Sequence, residues 1–314
     1  MFLMKLAGIL AFTLMISAVA CTPEKDRELK AQGDAIIGGT VVKKDSRVAK
    51  STVGIFNANI GAVCTGILLE NNIILTAAHC VQSDDISETF IVFSPDMESL
   101  LTDYDKIRKS PLTRRASAGV INDKYKNVAD LEEPNQATHD IALLKFNGTI
   151  PKGYMPAQIL NNAASLKEGA ETLIAGYGVE TDNLVEIDTK QTPPEELQAL
   201  VKDGTVVCDF DMEIKETRCF TEEMDGPAIL KYTSVNIGSF PNAFEAILLH
   251  DQRHGPCSGD SGGPAFVKSG SDYFVWGLTS RSEMGCATST VYTNIVPYRS
   301  WIKTESAALL KKKK

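Results

Sequence analysis

The chain has 314 residues, of which 43% are apolar and 23% charged, enough for one large or two medium globular cores. A formal charge of −8 at pH 7 argues against a nucleic-acid partner, because phosphate binding needs a basic face. The one basic run, Lys311–Lys314, reads as a solvated tail.

In chain order, the first segment stands outside the fold. Lys5 precedes the apolar run LAGILAFTLMISAVA, and Ala18, Val19 and Ala20 supply a small-residue cleavage site, so residues 1–20 read as a secretory signal peptide. Export implies an oxidising compartment in which disulfides persist. Seven cysteines leave one over, and Cys21, immediately after the expected cut, is the candidate. A cysteine at that place resembles a bacterial lipoprotein box. Cys21 would then be a lipidation site, and the chain an exported protein anchored to the bacterial cell envelope. Ala18 stands where that box prefers leucine, so free secretion after ordinary signal cleavage is the alternative. Residues 21–35 follow as a polar tether and activation peptide.

From Ile36 onward, short apolar or alternating runs are broken by Gly, Asn, Asp and Pro. The segments 51–58, 62–70, 71–80, 89–94, 140–146, 171–178, 273–280 and 290–295 read as strands, which predicts a β-barrel or a sandwich. Residues 195–204 and 297–311 have helical spacing instead, and the second closes the chain as a terminal helix.

Three local motifs carry the chemistry. His79 lies in TAAHC, Asp140 in THDIALLKF and Ser261 in GDSGGP. An imidazole that reaches a hydroxyl can take its proton during attack, and a carboxylate behind the imidazole fixes the tautomer. Singly, each residue has a bland reading as a core histidine, a strand start or a glycine-rich turn.

Jointly, in the order His, Asp, Ser and with IIGG at 36–39, the motifs resemble those of the chymotrypsin-like serine proteases. The resemblance runs from Ile36 to about Leu310. It implies an all-β fold of two antiparallel six-stranded β-barrels with a C-terminal α-helix. The N-terminal barrel would fill 36–153, and the C-terminal barrel and helix 154–310. It also implies peptide or protein substrates and no cofactor. Ser261 would be the nucleophile, His79 the base and acid, and Asp140 its orienting partner, with Ser280 behind the aspartate. Backbone amides of Gly259 and Ser261 would form the oxyanion hole. Cleavage before Ile36, by an activating protease that could be the enzyme itself, would free an ammonium to pair with Asp260. Two disulfides are implied, Cys64–Cys80 and Cys257–Cys286; Cys208 and Cys219 are left to pair with each other.

Specificity follows from the same resemblance. Gly255 stands where trypsin-like relatives carry the aspartate that binds Arg or Lys. Ser280 belongs to the substrate pocket as well, and Ser282 and Thr290 fall on its walls. Cleavage after small or medium uncharged P1 residues is expected. Acidic P1 is the alternative, with Thr279, Ser282 and Arg281 or His254 as hosts. His139, His250 and His254 read as surface or loop histidines without metal-ligand spacing, and no metal site is expected. A non-catalytic binding or adhesin module on the same fold, using an insertion at about 180–245, is the alternative function.

Overall fold

Runs such as Ile67–Leu69 and Ile73–Leu75 place apolar side chains at successive positions, so both faces of those strands must be buried. The computed structural model describes residues 36–81, 86–133, 135–202, 205–212, 215–251 and 254–312. The expected signal peptide, Cys21 and the tether through Ala35 lie outside the described residues.

β1 (Thr40–Val41) precedes six strands: β2 (Thr52–Asn57), β3 (Ala62–Leu69), β4 (Ile73–Thr76), β5 (Thr89–Val92), β6 (Thr113–Ile121) and β7 (Ala142–Phe146). They close into a barrel in the order β2-β3-β4-β7-β6-β5. Side-chain alternation then sorts the apolar runs. Leu68, Ile74, Ile91 and Leu144 share the core cluster of the first barrel with Val53, Phe93 and Phe146. Their neighbours Ile67, Leu75, Val92 and Leu143 belong to a second cluster with Tyr177, Phe266, Leu278, Ile302 and Leu309 from later in the chain.

β8 (Gln158–Ile159) and β9 (Glu171–Gly176) come next, then β10 (Thr181–Ile187), β11 (Val206–Asp211) and β12 (Glu216–Asp225). The chain continues with β13 (Lys231–Asn242), β14 (Glu245–Leu249), β15 (Pro264–Ser269), β16 (Asp272–Ser282) and β17 (Ser289–Asn294). Strands β9, β13, β14, β17, β16 and β15 pair in that order, and β15 returns to β9, closing a second six-stranded antiparallel barrel. Trp276, Ile174, Ile237, Leu248 and Tyr292 pack its core. Helix Arg299–Lys311 ends the fold, burying Ile302 and Leu309 one heptad apart. The expected fold class is therefore the observed one.

The expected insertion is shorter than 180–245. Only β10, β12 and β11 form a separate three-stranded sheet, whereas β13 is a barrel strand. One face of the sheet groups Val185, Ile187, Val206 and the Cys208–Cys219 pair, and Val206 and Cys219 are buried there. Cys208 and Cys219 stand directly opposite and are disulfide-bonded, and Arg218 pairs with Glu186 across the strands. Cys64–Cys80 and Cys257–Cys286 are the other two disulfides among the described residues, and all three match the expected pairings. Such bonds fit an exported protein.

Candidate active site

The register of the first barrel brings two of the motifs together. Thr76 on β4 pairs with Ala142 on antiparallel β7, so the residues just after Thr76 and just before Ala142 share one barrel end. His79 opens a single 3-10 turn after the buried Ala77 and Ala78, and Cys80 beside it is tied to β3. His79 Nδ1 lies 2.8 Å from Asp140 Oδ2, and the His79 backbone N–H donates to Oδ1 at 3.1 Å. Ser280 Oγ donates to Oδ2 at 2.7 Å from the second barrel. Burial pushes the Asp140 carboxyl up, but the His79 and Ser280 bonds outweigh it and hold the carboxyl below its ordinary value. An ionised carboxylate only accepts, so Nδ1 carries the proton and Nε2 is left as an acceptor.

Ser261 lies in the connection between β14 and β15, held to the first barrel by one threonine. Thr65 N donates to Ser261 O at 2.8 Å, and Thr65 Oγ1 donates to Gly259 O at 2.9 Å. Thr65 Oγ1 also accepts from Tyr177 N at 3.1 Å, so β3, β9 and the Ser261 turn share one hydroxyl. Within the turn, the amides of Asp260, Gly262 and Gly263 donate to Cys257 O, Thr279 O and Asp260 O. Those of Gly259 and Ser261 make no hydrogen bond among the described residues. Two unused donors flanking one residue suit an oxyanion, and preorganised donors of this kind contribute roughly 3 kcal/mol each. Gly259 has φ +97°, and a Cβ there would come within 2.9 Å of Gly178 Cα, so glycine is required. Cys80 Sγ lies 3.6 Å from Ser261 O, which sets the histidine turn against the serine turn. No hydrogen bond joins Ser261 Oγ to His79 Nε2; in ligand-free sites such bonds are often long and tighten with substrate.

Asp260 is fully buried and accepts from Gly178 N and Cys257 N, both at 2.8 Å. Burial nevertheless pushes its carboxyl up to about 7. Ile36 is buried at φ +53°, and Ile37 exchanges both backbone hydrogen bonds with Gly255.

A cavity of about 270 Å3 opens beside Ser261. Ser280 and Ser282 line it as expected, together with Ser258, Thr279 and the Cys257–Cys286 bridge. Gly255 and Thr290 do not. The His250 ring fills the space at Gly255, where a Cβ would fall 2.2 Å from Nδ1. His250 Nε2 and Ser282 Oγ each lie 3.0 Å from Thr290 Oγ1, so Thr290 is tucked behind Ser282. This corrects one reading: Thr290 is not a wall residue; His250 lies in the loop after β14, as expected, and is half-buried there. His139 is also half-buried, with Nδ1 2.6 Å from Tyr298 Oη.

The insertion sheet contributes Asp182 and Glu222 to the cavity, where Glu283 joins them. Asp182 Oδ2 packs 3.4 and 3.3 Å from the sulfurs of Cys257 and Cys286, and burial and Glu222 push its carboxyl up to about 6. Arg281 is committed to Glu245 at 2.8 Å, and His254 pairs with Asp251 outside the lining. Of the hosts expected for an acidic P1 side chain, Thr279, Ser282 and the Glu245-paired Arg281 line the cavity, whereas His254 does not. Nor can the cysteines beside His79 and Asp182 ligate a metal, because each is in a disulfide.

A family model described as Trypsin matches residues 36–228 and 242–302. The trypsin Blo t 3 of Blomia tropicalis is 27% identical over 306 residues, covering 94% of this chain and 97% of the relative. The chymotrypsin-like elastase family member 1 of Canis lupus familiaris is 26% identical, covering 87% of this chain and 93% of the relative. The vitamin K-dependent protein C of Rattus norvegicus is 25% identical over 88% of this chain, which spans 53% of that relative's length.

Ser280→Ala tests the grip on Asp140. A carboxyl held below its unfolded value stabilises the fold above about pH 4, and that stability is lost as pH falls through the folded value. Removing the Ser280 donor raises the folded value, so the acid-unfolding midpoint is expected to move to higher pH. At pH 7 the variant should lose roughly 1.5–3 kcal/mol in urea titration, the range for a bond to a charged group. Superimposable curves would contradict the role.

Proposed function

The chain belongs to the trypsin family of serine proteases, and on that premise we propose that it is an endopeptidase with Ser261, His79 and Asp140 as its catalytic residues. Ser261 Oγ attacks the carbonyl carbon of the scissile peptide bond while His79 Nε2 takes its proton. The carbonyl oxygen becomes an oxyanion against the Gly259 and Ser261 amides. His79 then gives the proton to the leaving amine, the C–N bond breaks, and water hydrolyses the acyl-enzyme by the same steps in reverse roles. Asp140 stabilises the imidazolium throughout. The observation that supports this reading best is the buried Asp140 carboxylate bonded twice to His79, which leaves Nε2 as the free acceptor.

Activation by cleavage of the Ala35–Ile36 bond belongs to the same proposal. Asp260 is buried and forms no ion pair among the described residues, and a freed Ile36 ammonium would supply the missing charge. The small residue Ala35 suits an activator with a small P1 preference, and the protein itself is a candidate. Lipidation at Cys21 is supported by arithmetic: three disulfides use six of the seven cysteines.

For P1 we retain small or medium uncharged residues, supported by a modest cavity in which Ser258, Thr279, Ser280 and Ser282 supply hydroxyls. A second reading, a basic P1 side chain, is favoured by Asp182 and Glu222 at the cavity's edge.

Three outcomes are expected. In activated protein, Ser261→Ala, His79→Ala and Asp140→Asn should each lower kcat for peptide hydrolysis by at least about 10²-fold. A binding module would instead bind peptides without cleaving them. Next, an uncut Ser261→Ala chain should lose stability as pH rises from about 4 to about 7, because its folded Asp260 value lies above the unfolded one. After cleavage before Ile36 by an added protease, that loss should vanish from urea midpoints; identical pH profiles would argue against the switch. Finally, in a panel of Ala, Val, Phe, Glu and Arg P1 peptides, Glu should be cleaved slowest. Its handicap relative to Ala should grow as pH rises through about 6, where Asp182 ionises. Arg as the best substrate would select the second reading, and Glu as the best would overturn both.

A further inference from the structure

The segment carrying Asp140 comes from the first barrel, yet most of what holds it comes from the second. Thr138, buried two residues upstream, donates to Glu245 Oε1 twice: from its backbone N–H at 3.0 Å and from its hydroxyl at 2.8 Å. Glu245, on β14, is 2% exposed. It also accepts from Arg281 Nη1 at 2.8 Å, from Arg281 Nη2 at 3.2 Å and from Asn242 Nδ2 at 3.1 Å. Arg281 Nη1 reaches back to the Thr138 hydroxyl at 3.3 Å. The three side chains therefore close a triangle around one oxygen of Thr138.

Arg281 directly follows Ser280, whose hydroxyl holds the Asp140 carboxylate. Successive residues of a regular strand point to opposite faces. Here the register of β16 against β17 shifts between Thr279 and Arg281, and a bulge of this kind re-aims side chains. Ser280 and Arg281 thus serve the same segment, one at the carboxylate and the other two residues upstream. Between them His139 takes φ +52°, a conformation that a non-glycine residue holds only when its surroundings fix it. Thr293 Oγ1 on β17 donates to Asp140 O at 2.9 Å, a further hold from the second barrel.

We propose that Thr138, Glu245 and Arg281 are positioning residues that clamp the Asp140 segment so that His79 is aimed at Ser261. A buried ion pair is weak evidence of stability, since apolar residues of equal volume often do as well. What the pair adds is a fixed address: the second barrel, which carries the nucleophile, sets the place of an acid supplied by the first. The inference rests on the reading of Asp140 as the group that orients His79.

The test compares activated wild type with Thr138→Val, Thr138→Ser and the double variant Glu245→Leu/Arg281→Met, measuring kcat and KM per folded molecule. Thr138→Val keeps the volume and the N–H but removes the hydroxyl, and kcat should fall about tenfold to a hundredfold, as for a small misplacement of reacting groups. KM should stay within about twofold, the mark of a loss confined to the transition state, and Thr138→Ser should restore kcat. The double variant leaves no lone buried charge but removes the acceptor of the Thr138 N–H, so it should fold less stably than wild type and still lose kcat per folded molecule. A Thr138→Val enzyme with unchanged kcat, or one changed only in KM, would overturn the clamp alone. An activated wild type that cleaves no peptide at all would overturn the underlying reading and the clamp together.

Discussion

A carboxylate taken out of water at the junction of two barrels is the constraint on which the rest depends. Asp140 is 3% exposed and would be forced neutral unless donors met it from several sides. They do: the His79 ring and amide from one barrel, and the Ser280 hydroxyl from the other. Its charge in turn decides which nitrogen of His79 is protonated. A carboxylate on a surface loop would keep its charge in water but would not hold the ring in place.

The same economy governs the serine turn. Thr65 sits at the centre, with its N–H, hydroxyl and carbonyl all engaged. It ties Gly259 and Ser261 to the first barrel, while Gly262 and Gly263 bond into the second. The turn is therefore fixed from both sides, and the two amides left over stand in a rigid frame. Asp260 beneath it is the group with least to hold it: two backbone donors and no cation among the described residues. In the proposed activation, that imbalance is what cleavage before Ile36 would change.

The barrels were legible because their strands bury both faces, so Ile73–Leu75 or Leu143 and Leu144 appear as unbroken apolar runs. Strands β6, β13, β14 and β15 were not, and in β6 the sequence TRRASAGVI brings two arginines into the strand. Arg114 donates to the Thr149, Pro111 and Thr113 carbonyls, and Arg115 lies over the Phe90 ring, contacts that no local pattern announces. The proposed triad could be read because TAAHC, THDIALLKF and GDSGGP resemble the motifs of a known family in the same order. Thr138 and Glu245 could not, as 107 positions separate them and each alone is an ordinary polar residue. Ser280 and Ser282 line the cavity as read, and Gly255 and Thr290 do not, for a related reason. The pocket residues were placed by correspondence, but a strand from the insertion brings Asp182 against the Cys257–Cys286 bridge, and His250 takes the room at Gly255.

The most direct measurement is a crystal structure of the chain cut before Ile36 and reacted with a fluorophosphonate. The account predicts phosphorus on Ser261 Oγ, its oxygen within hydrogen-bonding reach of the Gly259 and Ser261 amides, and His79 still bonded to Asp140. Phosphorus on another side chain, or a His79 ring turned away from Asp140, would contradict it.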